Sequence, residues 1–146
     1  MTDSSSLPDP GQSTADAAPS IIEANPYMTL ATADASGRPW ATPVWFAHAA
    51  VDGDEFVWVS RPGARHSQNI AARPEVAMTI FDSTVPEGEA AAVYVEAVAA
   101  EVADDERAAA LGVFNERSLA RGLRPWQGSD VTGFAPHRLY RATATA

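Results

Sequence analysis

A chain of 146 residues, 46% of them hydrophobic, has enough apolar mass for one core and little for a second domain. Its formal net charge of −9 excludes the broad basic field that non-specific nucleic-acid binding or adhesion to an anionic membrane requires, while leaving room for a focused basic pocket. The absence of cysteine removes disulfides, thiolate metal sites and cysteine nucleophiles.

Residues 1–20 are rich in Ser, Asp, Pro and Ala and carry almost nothing to bury, so they are expected to form a disordered tail ahead of a single domain over 21–146. The start has neither a basic cluster nor an apolar run, so it reads as neither a secretory signal nor a membrane anchor, and a cytoplasmic location is the expectation. From Ile21, IIEANPY suggests a short helical turn stopped by Asn25-Pro26, because the residue before a proline is pushed out of helical geometry. YMTLATA (27–33) and PWATPVWFA (39–47) then read as two strands joined by the turn residues DASGR, which makes a hairpin. EFVWVS (55–60) is a third strand, reached through VDGD with its Asp52-Gly53 turn dipeptide.

After Ser60 the period changes. Pro62 suits a first helical turn, and ARHSQNIAA continues as a short helix until Arg73-Pro74. EVAMTIF (75–81) and AAVYVEAVAAEV (91–102) are strands four and five, across the polar loop DSTVPEGEA. In the latter strand Val93 and Val95 alternate with Tyr94 and Glu96, so one pair faces the core and the other faces solvent or a neighbour. Residues 104–122 form an amphipathic helix with Ala108, Leu111, Phe114 or Asn115, and Leu119 on one face. A loop, LRPWQGSDVTGFAP, leads to a last strand in HRLYRATATA. Six short antiparallel strands with two inserted helices point to a mainly β fold, a small barrel, since closure removes exposed strand edges. No G-x-G-x-x-G turn supports a βαβ nucleotide fold.

The segment SRPGARHSQNIAARPEV, residues 60–76, concentrates Arg61, Arg65, His66 and Arg73 in an acidic chain. A strand ending in Ser60, a Pro62-Gly63 turn and a helix starting near Ala64 leave backbone N–H groups free at the helix start, where anions are stabilised. Arg65 adds a planar fork, His66 a switchable donor and Ser60 a hydroxyl, which together would make a phosphate cradle. The competing reading is a solvated basic helix face, and only convergence in space separates the two. His48, His66 and His137 lack ligand spacing, so no metal site is expected. Without G-x-S-x-G, Ser60 is no candidate hydrolase nucleophile. Trp126, in RPWQG, reads either as a packing anchor or as a contribution to a site. The aromatics Trp40, Trp45, Phe46, Phe56 and Trp58 could flank a planar cofactor, although a β core needs such residues in any case.

The succession YMTLATADASGRPWATPVWF, DGDEFVWVS, ARHSQNIAARPEVAMTIFD resembles the pyridoxamine 5′-phosphate oxidase-like family of FMN-binding split barrels, well over about residues 21–102 and loosely beyond. The resemblance implies a split β-barrel and an FMN phosphate held by Ser60 together with Arg65 and His66, the last at a position where the family commonly has lysine. It implies a flavin ring running along Thr42, Pro43, Val44 and Trp45, with Val59 also lining it, and Pro43 has no N–H to offer the ring. It further implies a homodimer whose partner chain completes the site, with Trp126 a candidate for such a contribution, and a flavin-dependent oxidoreductase acting on a small molecule. No side chain is nominated as a catalytic acid or base. The alternatives are a reductase using the deazaflavin F420 in the same groove and a non-catalytic cofactor-binding or sensing module.

Overall fold

The computed structural model describes residues 14–50 and 53–146. Helix α1 (Thr14–Ala24) precedes strands β1 (Tyr27–Ala33), β2 (Pro39–Trp45), β3 (Ala47–Ala50) and β4 (Asp54–Ser60). Helix α2 (Arg65–Ala72), strands β5 (Glu75–Phe81) and β6 (Ala92–Glu101), helix α3 (Arg107–Ala120) and strand β7 (Arg138–Ala144) follow. The strands form one antiparallel sheet in the order β2-β1-β5-β6-β7-β4-β3. Its two edge strands, β2 and β3, are consecutive in the chain with only Phe46 between them, so the curled sheet is bridged at its open edges by its own backbone.

That bridge explains why seven strands stand where six were expected. The run 39–47 is broken at Phe46, whose N–H donates to the Pro26 carbonyl at 3.2 Å as the last contact of the β1–β2 pairing, while its ring is fully buried. The part before Phe46 pairs with β1 (Thr42 opposite Leu30), and beyond it Ala47 starts β3, which extends past the expected run through His48–Ala50 and pairs with β4 (His48 opposite Phe56). Val51 and Asp52, half of the expected turn into β4, lie outside the described residues, while Gly53 has φ of +114°, a conformation that favours glycine.

Period-2 alternation sets the interior. Met28 and Leu30 of β1, Met78 and Ile80 of β5, and Val93 and Val95 of β6 point inward, and the register stacks Leu30, Met78 and Val95 across three strands. β4 is buried on both faces: Phe56 and Trp58 fill the barrel, while Val57 packs with Ala47, Leu139, Leu111 and Phe114 beneath α3. Each fully buried Phe or Leu contributes roughly 1.5–3 kcal/mol, so these two clusters, rather than local propensity, hold the strands.

Among the described residues three α-helices are present rather than two. The tail expected over 1–20 gives way to helix at Thr14, and residues 1–13 lie outside the described part. Ordering α1 is offset by contacts: Ile22 is buried, Ala18 and Ile21 pack on the barrel cluster, and the Arg117 guanidinium of α3 donates to the Asn25 carbonyl at 3.0 Å. Arg121 adds a 2.8 Å bond to the Glu23 carbonyl, so α3 satisfies acceptors that the end of α1 would otherwise leave free. The buried stripe of α3 is accordingly Ala110, Leu111, Phe114, Arg117 and Ser118. Ala108 and Leu119, expected to face inward, are exposed, because Arg117 takes the inner position between the end of α1 and the Phe46 ring.

Candidate functional site

β4 ends at the buried Ser60, and the chain turns through Arg61–Ala64, where the Ala64 N–H donates to the Arg61 carbonyl at 3.0 Å. α2 starts with Ala64 in the capping position, and no side chain caps it, so its first-turn N–H groups remain available to an anion. One residue into the helix, the His66 ring turns back to the strand end, and Ser60 Oγ and His66 Nε2 share a hydrogen bond of 2.8 Å. Burial holds the imidazole below its ordinary pKa of 6.5, so near neutrality it is uncharged.

This junction opens into a groove of about 530 Å³, within the range of small-molecule sites. Pro43, Val44 and Trp45 of β2 and Val59 of β4 form one side. Phe114 and Ser118 of α3 form another, continued by Leu123, Arg124 and Trp126 from the segment after it and completed by Tyr27 and His137. The aromatic wall is continuous: Trp45 meets Phe114 edge-on at 5.2 Å, Phe114 meets Trp126 at 6.4 Å and Trp126 meets His137 at 5.4 Å. Asn115 fixes the tryptophan backbone from both sides, donating to the Trp126 carbonyl and accepting from its N–H, each at 2.8 Å.

Of the residues singled out in the sequence, Pro43, Val44, Trp45, Val59, Ser60 and His66 converge on this groove, and Trp126 joins them within the same chain. Thr42 and Arg65 do not line it. The Arg65 guanidinium instead lies 4.2 Å from the centre of the exposed Trp40 ring, a cation–π contact on the outer surface. Arg73 is structural, donating from Nε and Nη2 to the Asp34 and Ala35 carbonyls and so clamping the β1–β2 turn to the end of α2. Tyr27, Phe114, Ser118, Leu123, Arg124 and His137 were not foreseen as site residues, since they come from four distant segments and no local pattern marks them.

The donor set fits a flavin nucleotide. A hydroxyl, an imidazole and an uncapped helix start suit a phosphate, and the apolar, partly aromatic sides suit a flat ring. Among the described residues no three His, Asp or Glu side chains gather in a way that could hold a metal ion, and no helix is long and apolar enough to cross a membrane.

A sequence profile of the pyridoxamine 5′-phosphate oxidase family matches residues 14–145. No curated protein matches the chain. Among solved structures, HutZ, the heme storage protein from Vibrio cholerae, is similar at 22% identity and a TM-score of 0.67, with 90% of this chain and 89% of that one covered. A heme-binding protein from Mycobacterium smegmatis is similar at 23% identity and a TM-score of 0.67, over 89% of this chain and 50% of the other. An FAD-binding protein from Mesorhizobium loti is similar at 22% identity and a TM-score of 0.62, over 90% of each chain. At these identities the likeness carries the fold.

Proposed function

This chain belongs to the pyridoxamine 5′-phosphate oxidase family, and on that premise we propose that it is an FMN-binding oxidoreductase acting on a small molecule. The observation that carries the reading is the Ser60–His66 pair, 2.8 Å apart at the start of an uncapped helix inside a groove with flat apolar sides. Ser60, His66 and the first-turn N–H groups of α2 hold the phosphate, while Pro43, Val44, Trp45 and Val59 orient the ring and keep water from it. When bound, the flavin supplies hydride or electron transfer, and the chain supplies orientation and electrostatics. No side chain is assigned as an acid or base.

The same reading takes the working unit as a homodimer. The outer face of β1, β5 and β6 carries Thr29, Ala31, Ala77, Thr79 and Tyr94 around an apolar depression, with Tyr94 80% exposed, which suits a flat self-complementary contact. The purified protein is expected to take up FMN with the absorbance of a bound flavin and to hold it more tightly than riboflavin. Equal affinity for the two, or no uptake of either, refutes the proposal.

A second reading, cofactor binding without turnover, draws on two of the similar structures being heme proteins and on His137, whose imidazole stands on the groove wall. Parallel titrations with heme and F420 separate these cases. A heme Soret shift that His137→Ala removes would favour heme, whereas F420 retained in preference to FMN would favour the deazaflavin.

A further inference from the structure

Resting on the flavin reading above, we infer that the groove selects planar substrates bearing a carboxylate, with Arg124 as the residue that sets this specificity. The chain has 19 acidic residues against 10 basic ones, so a concave surface should normally include a carboxylate. Four other concavities do: Glu75 and Glu96 line one, Glu96 another, Asp54 a third and Asp104 a fourth. No carboxylate lines the groove, and its ionisable groups, besides Tyr27, are His66, His137 and Arg124. With acidic surface elsewhere repelling an anion, this concavity is where one is least opposed.

Arg124 is placed for that task by its neighbours. The Leu123 N–H donates to the Ser118 carbonyl at 2.8 Å, which ties the segment to the end of α3. Pro125 restricts Arg124 to extended backbone, and Asn115 fixes Trp126 on the far side. Between these two anchors the arginine reaches the groove, and the ion pairs among the described residues are made by Arg107, Arg117, Arg141 and His48, none of them by Arg124. Its planar fork matches a carboxylate bidentately. A planar substrate suits these walls, because Trp45, Phe114, Trp126 and His137 all present rings to the groove, with Trp126 edge-on to Phe114 and His137 at 82° and 81°.

The test uses the full chain loaded with FMN and titrated with benzoate and with benzamide, its neutral counterpart, following the absorbance of the bound flavin. Benzoate should bind about three- to tenfold more tightly than benzamide, Arg124→Gln should abolish the difference, and Arg124→Lys should restore part of it. Equal binding of the two by the wild type, or a preference that survives in Arg124→Gln, overturns the inference while leaving the flavin reading intact. A variant Arg124→Gln that loses FMN but keeps riboflavin also overturns it, by assigning the arginine to the cofactor. Failure of the wild type to take up any flavin is a separate result and refutes the reading on which the inference rests.

Discussion

The sharpest consequence of the site concerns His66. Burial depresses its pKa below 6.5, so in the free protein the ring is neutral above that pH and shares a 2.8 Å hydrogen bond with Ser60. A phosphate dianion beside it favours the imidazolium, which means that binding FMN raises the pKa of His66 and takes up a proton. FMN affinity must then increase as pH falls from about 8 toward 6, the range over which histidine changes charge. The gain is the difference between a neutral hydrogen bond, about 1 kcal/mol, and a charge-assisted one, about 1.5–3 kcal/mol; because the ring is half-buried, the lower end applies, about twofold in Kd. Folding stability has the opposite slope. With a depressed folded-state pKa, the contribution of His66 is fully present above its unfolded value of 6.5 and is lost as pH falls, since the unfolded chain then binds the proton first. Fluorescence-quenching titrations with FMN and riboflavin across this range read the first effect, and denaturant unfolding of the cofactor-free chain reads the second. Riboflavin, lacking the phosphate, should show no slope, His66→Asn should flatten the FMN slope, and His66→Lys should bind FMN tightly at all these pH values. An FMN slope identical to that of riboflavin, or one that persists in His66→Asn, would refute the reasoning.

Three further outcomes follow from the arginines. Arg73→Ala should lower stability by about 1 kcal/mol, read as a lower Tm, without changing FMN affinity, since it removes two bonds to the β1–β2 turn and nothing from the groove. Arg65→Ala should weaken FMN by about twofold or less, because its guanidinium sits on Trp40; a tenfold loss would show that it leaves that ring for the phosphate. Arg117→Met should cost about 2–4 kcal/mol in denaturant unfolding, by orphaning the carbonyl acceptors at the end of α1, and loss of protection from hydrogen exchange should be concentrated in Thr14–Ala24. An unchanged exchange pattern would mean that α1 is held by its apolar face alone.

Much of the fold was legible because its signals are local. Alternation places Met28 and Leu30, and then Val93 and Val95, on inward faces whatever lies opposite them, and Asn25-Pro26 and Arg73-Pro74 stop α1 and α2 through their own backbone sterics. The hydroxyl and imidazole of Ser60 and His66 were readable for the same reason, since these two residues, at a strand end and in the first turn of the next helix, lie six apart. Arg65 shows the limit of such reading: it occupies the expected place on α2, but one step along a helix turns a side chain by about 100°, and that takes it to Trp40 instead of the groove.

The sequence by itself determined every strand segment but β3, where α2 begins, and that one short stretch would gather polar donors, because each depends on spacing within a few residues. Tertiary structure alone decided that Phe46 breaks a continuous β run, that Arg117 is buried, and that Trp45, Phe114, Trp126 and His137 meet as one wall. Those outcomes depend on which distant surfaces exclude water from one another, and apolar burial has no sequence range: it rewards any pair of faces the folded chain brings together.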